Sequence, residues 1–368
     1  MIPLIFPTID LKDIFRSYLH KGRLVDRSGV LAKNYGKKYG YFVSEGREAL
    51  AMALEDLGLT REDEVIVPSY VCDIVPKIVD RYATVRYADI NPSTLVVDAE
   101  EIKNRITKKT KAVVVVHLYG KVNDLKEIHD MCREKNITLI EDCAQAVYSF
   151  EGKTRAGSLG DYSILSFRFS KDVNLGKGGA LLSNKKISTV SKSKHSLSAL
   201  VTILFMQLAL RSQGLFVGRI YYYAKEYLLN PFFSKTSYLP KKIRRELSPF
   251  EQELVLEGLK KMPDVLNKKK QVVSMYESSL KGIDEIDLCD LTNNSFMRFN
   301  ILASNRQALI RKLHQNGIES DKMYPYCMNR TCKKSLEVSQ SIVNLPVHPG
   351  VSKRHVEKIS RIIRQHYA

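Results

Sequence analysis

The sequence predicts an α/β protein built on a mostly parallel sheet, and three observations carry that prediction. Four segments, "EVIVP" (64–68), "ATVRYADI" (83–90), "AVVVVH" (112–117) and "ITLIED" (137–142), are short, rich in Val and Ile and bounded by turn residues, the pattern of strands buried on both faces. Between the last two, Val122, Leu125, Ile128, Met131 and Cys132 recur at helical spacing and leave Lys, Asp and Glu on the opposite side. A strand, helix, strand unit of this kind brings the second strand back parallel to the first. At 368 residues the chain is also long enough for two or three domains and a large core.

The elements that carry chemistry follow in chain order. "VSEGREALAMALEDLGL" holds a helix whose apolar face is Ala49, Leu50, Ala53, Leu54 and Leu57, with Ser44 and Gly46 at its start. Amides around Gly46 and Arg47 point at an anion there, and the helix dipole favours one, although Ser44 or Gly46 would serve equally as a plain cap. Asp142 ends the apolar run "ITLIE". Ligands of doubly wound sheets bind beyond the carboxyl ends of the strands, so Asp142 is expected to face a crevice; the alternative is an Asp that caps the next turn. "YSILSF" (162–167) reads as another strand, with Lys171 on the loop leaving it and Gly176, Gly178 and Gly179 just beyond, where backbone can fold closely around a ligand.

Composition narrows the class. With 44% apolar and 27% charged residues the chain is expected to be globular rather than disordered. Six cysteines, Cys72, Cys132, Cys143, Cys289, Cys327 and Cys332, show no disulfide framework or zinc spacing, and "MIPLIFPTIDLKDIF" lacks a basic region followed by a long apolar stretch. The expectation is a cytoplasmic protein with free thiols and no bound metal. A net charge of +18 attracts phosphates in general. Lys and Arg are nevertheless spread along the chain, with denser groups at Lys192, Lys194 and Lys241–Arg245, and no nucleic-acid-binding signature accompanies them. The reading is a solvated basic surface and no specific nucleic acid.

An acid at one strand end, a hydroxyl at Ser166 and a lysine after the next strand together suit a pyridoxal phosphate site. There a lysine forms an imine with the aldehyde and an acid keeps the pyridine nitrogen protonated, so that the ring accepts electrons. Hydroxyls and backbone amides hold the phosphate.

In order along the chain, "EGREAL", "DEVIVPSYVC", "YADINPSTLVVD", "TKAVVVVHLYGKVNDLKEI", "LIEDCAQA", "RAGSLGDYSILSFRFSK", "GKGGALLSN", "NGIESDKMYPY" and "NLPVHPGVSKRHVEKI" cover about three quarters of the sequence. The set resembles the DegT family of pyridoxal phosphate-dependent sugar aminotransferases. The resemblance implies the aspartate aminotransferase fold type I, with a large cofactor-binding domain over 1–250 and a smaller C-terminal α+β domain over 251–368. It makes Lys171 the Schiff-base lysine and Asp142 the partner of the pyridinium nitrogen. It places Gln145 by the 3-hydroxyl and Ser166, Gly46 and Arg47 on the phosphate. Cys72 falls where many relatives carry an aromatic against the ring face, so Tyr70 or His117 is a candidate for the missing surface. Arg298, Tyr324 and Tyr326 lie in the part that resembles the family's sugar-facing region.

The implied activity is amino transfer, with glutamate as donor, to a keto sugar carried on a nucleotide, for cell-surface polysaccharide or glycolipid synthesis. A homodimer is the implied assembly, although the Asn and Arg pair that often reaches a neighbouring subunit's site is missing from "RRELSPFEQELVLEGLKKM". The alternatives are another pyridoxal phosphate enzyme, a sugar dehydratase or a lyase, and a non-catalytic scaffold that binds membranes or nucleic acid. Some relatives replace the lysine with histidine and dehydrate their sugar, and the presence of Lys171 favours amino transfer. One feature stands apart from the resemblance: an apolar insertion near 195–235. Its run "LSALVTILFMQLAL" (197–210) would span about 21 Å as a helix, too short to cross a bilayer. It is expected to be a core helix, an oligomer contact, or an anchor on the inner face of the membrane, flanked by Lys185, Lys186, Lys192, Lys194, Arg211 and Tyr221 to Tyr223.

Overall fold

The computed structural model describes residues 1–20, 25–187, 197–211, 245–290 and 294–368. Sequence features at Lys192, Lys194, residues 241–244, Tyr221 to Tyr223 and most of the insertion therefore lie outside the described residues.

Seven strands form the main sheet: β1 (Tyr39–Val43), β2 (Glu64–Pro68), β3 (Thr84–Ala88), β4 (Thr110–Val116), β5 (Thr138–Asp142), β8 (Tyr162–Ser166) and β9 (Gly179–Ser183). β6 (Phe150–Glu151) and β7 (Thr154–Arg155) make a small separate hairpin. The order across the main sheet is β1-β9-β8-β5-β4-β2-β3. β3, β2, β4, β5 and β8 run parallel, and only β9 runs against its two neighbours. Burial on both faces holds for β2, β4 and β5 as expected. It fails for β3, where Thr84 is exposed and Val85, Arg86 and Tyr87 are half-buried. The reason is position: β3 is the edge of the sheet, so one side of each pair is absent.

Strand alternation splits the core into two layers. Val43, Tyr162, Ile164 and Leu181 join the layer that includes α3 (Gly46–Asp56), α4 (Ile74–Val79), α5 (Ala99–Arg105) and α6 (Leu125–Glu134). Phe42, Leu165, Ala180 and Leu182 point the other way. They pack with residues of α1 (Leu11–His20), α2 (Arg27–Lys33), α7 (Leu197–Arg211) and the first half of α8 (Pro249–Leu280).

The helix α8 begins with a capping box, Ser248 and Glu251 each satisfying the other's backbone N–H, with Pro249 at its first turn. Its 32 residues extend about 48 Å. Phe250 to Val265 pack in the second layer of the main sheet, whereas Val272, Val273, Tyr276 and Leu280 pack in a third core. That core lies around an antiparallel sheet of β10 (Ile286–Leu288), β11 (Phe299–Ala303) and β12 (Ile342–Leu345). α9 (Arg306–Gln315) and α11 (Lys353–Tyr367) contribute to it, and α10 (Lys333–Ser341) precedes β12.

Candidate active site

The parallel strands all end on one side, and the loops that leave them build one pocket. It takes in the seven residues that the resemblance assigns to catalysis and cofactor contact, Gly46, Arg47, Cys72, Asp142, Gln145, Ser166 and Lys171, but not Tyr70, His117, Arg298 or Tyr326. Arg168, Val116, Ile164 and Tyr324 complete much of its wall.

The floor is the start of α3. Its cap residue Glu45 makes no side-chain capping bond, and Ser44 donates its hydroxyl to Glu48 at 2.7 Å rather than closing the helix end. Glu45, Gly46 and Arg47 at this helix start line the pocket, where the positive end of the helix dipole lies. β9 passes close beneath: a Cβ on Gly179 would lie 2.4 Å from the Gly46 nitrogen, so only glycine permits this approach. Arg47 forms an ion pair with Glu45, and the buried Ser166 hydroxyl makes no hydrogen bond among the described residues.

Asp142 and Lys171 provide the charges. One Asp142 oxygen accepts from the Ala144 N–H at 2.9 Å, and the carboxylate makes no ion pair among the described residues. Burial raises its carboxyl above the ordinary value, opposed by the Ala144 N–H and by Lys171. Lys171, half-buried, has no ion pair among the described residues; burial lowers its ammonium, opposed chiefly by Asp142. The Cys72 thiol is raised by burial and held back in part by Lys171.

Gln145 is held from two sides. Its amide oxygen accepts from the Tyr119 N–H at 2.9 Å, and its nitrogen donates to the Tyr324 hydroxyl at 2.8 Å. Tyr119 sits at φ 54°, a strained setting for a non-glycine residue, and its hydroxyl meets that of Tyr70 at 3.1 Å. Two candidates for a ring-facing surface are corrected here. Tyr70 and His117 do not line the pocket; both are buried behind it, and Tyr324 is the aromatic residue in the wall. Tyr326 donates to nothing in the pocket and instead accepts from the Asp73 N–H at 3.2 Å.

His117 belongs to a second cluster on the other face of β5. The Asn123 N–H donates to its Nδ1 at 3.3 Å, so Nε2 carries the proton and donates to Glu141 at 3.0 Å. Glu141 also accepts from the N–H groups of Gly157, Leu159 and Gly160. Its carboxyl is lowered in spite of complete burial, through His117 and these amides. His117, Glu141 and Cys143 lie close enough to hold a metal, but hydrogen bonds already engage the His117 and Glu141 ligand atoms. Sequence reading missed this cluster and Arg168. The one available signal was a second acid beside Asp142 in "LIED".

A mostly parallel sheet with lysine, acid and helix start around one pocket is the arrangement of a pyridoxal phosphate enzyme. Residues 17–364 match the model of the DegT/DnrJ/EryC1/StrS aminotransferase family, and the chain belongs to it. Among curated relatives, GDP-perosamine synthase of Vibrio cholerae is 28% identical over all of this chain and 99% of its own length. The aminotransferase TlmJ from Streptoalloteichus hindustanus superposes with a TM-score of 0.75 at 21% identity, over 99% of this chain and 98% of that one. GDP-4-keto-6-deoxymannose-3-dehydratase, solved with a trapped PLP-glutamate geminal diamine, superposes with a TM-score of 0.76 at 20% identity, over 98% and 100%. These two likenesses establish the fold, type I with a mostly parallel central sheet.

Proposed function

We propose that this protein transfers an amino group from glutamate to a keto sugar carried on a nucleotide, with pyridoxal 5'-phosphate as cofactor, in cell-surface polysaccharide or glycolipid synthesis. One observation carries the proposal: Lys171 and Asp142, neither with an ion-pair partner among the described residues, share a pocket whose floor is an uncapped helix start. Unpaired charges in such a place are costly unless a ligand completes them.

The residues present fit that cofactor. A phosphate matches the helix start at Gly46 and Arg47 and the Ser166 hydroxyl, all of which line the pocket. Val116, Ile164 and Cys72 offer the less polar walls a ring requires. Asp142 would hold a proton on the ring nitrogen, because a cation beside it would offset the burial that raises its carboxyl. When bound, the cofactor supplies an electron sink for carbon–hydrogen cleavage beside an amine. Lys171 would be the attachment point for the cofactor, and its amine, lowered by burial, would serve as the base that moves the proton of the donor's α carbon. Gln145, fixed by Tyr119 and Tyr324, would turn toward the 3-hydroxyl the amide N–H that now makes only a long contact, 3.8 Å, with the Met323 sulfur.

The division into 1–250 and 251–368, a homodimer and a cytoplasmic location belong to the same reading. So does peripheral membrane contact through 197–210. In support of it, Leu197, Val201, Phe205 and Leu208 are each more than half exposed at helical spacing on α7. The basic flank is partly engaged, with Arg211 paired to Asp10 and Lys185 to Asp56. No helix among the described residues is long and apolar enough to cross a membrane. The test of function is a mass-spectrometric screen of keto sugar nucleotides with glutamate. Coupled appearance of an amino sugar nucleotide and 2-oxoglutarate is expected; sugar dehydration without 2-oxoglutarate would favour the dehydratase reading.

A further inference from the structure

Lys269 lies in the middle of α8, between Val265 of the main-sheet layer and Val272 of the third core. Its ammonium pairs with Asp172 at 2.5 Å, the two side chains being 3% and 10% exposed, and donates a second hydrogen bond to the Ser295 carbonyl at 3.2 Å. Asp172 is the residue directly after Lys171. Its Oδ2 is buried without a partner, so among the described residues Lys269 alone engages this carboxylate.

A buried ion pair adds little net stability over apolar side chains of similar volume, because both ions must leave water. What this one specifies is geometry. A planar peptide joins Lys171 to Asp172, so fixing the Asp172 side chain restricts how that peptide turns and where the Lys171 side chain leaves the backbone. The loop beyond is held separately: the Thr8 hydroxyl donates to the Asp172 carbonyl at 2.5 Å, and Gln207 donates to the Asn174 carbonyl at 2.8 Å. Those bonds hold main chain, whereas Lys269 holds the side chain next to Lys171.

The other contact of Lys269 leads to a different wall of the pocket. Ser295 is fully buried; its N–H donates to the Gly120 carbonyl at 3.2 Å, and the Met297 N–H donates to the Tyr119 carbonyl at 2.9 Å. The Tyr119 N–H in turn holds Gln145, which lines the pocket with Lys171. One ammonium therefore joins the loop that carries Lys171 to the segment that steadies Gln145. Neither Lys269 nor Asp172 lines the pocket itself.

We propose that Lys269 is a positioning residue: through Asp172 it sets how Lys171 enters the pocket, and through Ser295 it ties that setting to the wall that holds Gln145. The inference rests on the aminotransferase reading above and concerns how its lysine is presented.

The experiment compares wild type, Lys269→Arg, Lys269→Met and a double variant carrying Lys269→Met with Asp172→Leu. Mixing cofactor-free protein with pyridoxal phosphate and following the absorbance of the attached cofactor reads the presentation of Lys171 without turnover. Single-turnover mixing of the loaded protein with L-glutamate separates the limiting rate from the concentration that half-saturates it, and urea unfolding reads stability. Lys269→Met is expected to slow attachment and the limiting rate on the order of 10²-fold, the loss expected of a reacting group held about 1 Å out of place, and to leave half-saturation within about twofold. Lys269→Arg, which keeps the charge, should recover most of both rates. The double variant should regain stability, since apolar side chains replace both ions, yet remain as slow as Lys269→Met. Rates that follow stability across the series overturn the proposal in favour of a structural pair. Unchanged rates in Lys269→Met also overturn it, as does a loss confined to half-saturation, which would make the ammonium a contact for the donor. Should Lys269→Met fail to fold, the double variant decides by the same rates. If wild type attaches the cofactor in a Lys269-dependent way but aminates no sugar, the inference stands and the function reading falls; a wild type that attaches no cofactor removes both.

Discussion

Glu141 and Asp142 are consecutive buried acids at the end of one strand, and their environments differ in every other respect. Strand alternation sends them to opposite faces. Glu141 accepts hydrogen bonds from three backbone N–H groups and His117, and its carboxyl is held low. Asp142 accepts one from the protein, and its carboxyl is pushed up. Chemistry similar in sequence is thus settled on one face and left incomplete on the other. The incomplete acid is the one that shares a pocket with Lys171. In a buried setting, an unmet hydrogen-bonding demand is a better pointer to a ligand than the presence of a charge.

The largest effect expected from breaking this contrast is at Lys171. Lys171→Ala should reduce turnover by more than about 10⁴-fold while far-UV and near-UV circular dichroism stay unchanged, because removing an unpaired, half-buried lysine leaves no partner stranded. Wild-type levels of activity in this variant would remove the lysine from the mechanism.

Asp142→Asn and Glu141→Gln sharpen the contrast directly. The first should slow both half reactions by about 10²–10³-fold yet leave the cofactor-free protein as stable as wild type or more so, since it removes a charge that burial disfavours. The second should cost about 3 kcal/mol of unfolding free energy, because it strands amides and His117 around a neutral group. Denaturant midpoints of the two proteins check the opposite signs; destabilisation by Asp142→Asn equal to that by Glu141→Gln would erase the distinction.

The two acids also predict opposite pH dependence in the cofactor-free protein. Glu141 has a folded value below its unfolded one, so its stabilisation is present above the unfolded value and is lost as pH falls through the folded value. Asp142 has a folded value above its unfolded one, so its unfavourable contribution sets in as pH rises between the two. Urea titrations of each variant against wild type from pH 3 to 7, a window of about four units around ordinary carboxylate values, separate them. Glu141→Gln should flatten the acid limb, and Asp142→Asn should close its stability gap with wild type at the low end.

The smallest effect expected on catalysis is on α7. Leu204 is half-buried against the core, so Val201→Ser with Phe205→Ser is the informative pair. Turnover in solution should stay within about twofold, as expected for exposed positions. Recovery with anionic vesicles should drop relative to wild type. Unchanged sedimentation with a smaller assembly by light scattering would instead make the stripe an oligomer contact.

Much of the frame was legible in the sequence because it depends on local pattern. β2, β4 and β5 announce themselves as Val and Ile runs, and the helix after Gly46 by its apolar spacing. The edge position of β3 was not legible, since strand order is set by contacts far apart in the chain. Lys171, Asp142 and Ser166 could be placed together because each follows or ends a strand of one parallel sheet. Tyr324 reaches the pocket from the second half of the chain, and nothing local in "DKMYPY" records that approach; only the family resemblance pointed to it. The satisfaction of Glu141 and the lack of it at Asp142 are likewise three-dimensional facts.

Borohydride reduction of the cofactor-loaded protein, followed by peptide mapping, identifies the lysine that holds the cofactor. A stable cofactor adduct is expected on the peptide that contains Lys171, and none in Lys171→Ala. An adduct on any other lysine, or none after loading with pyridoxal phosphate, would contradict it.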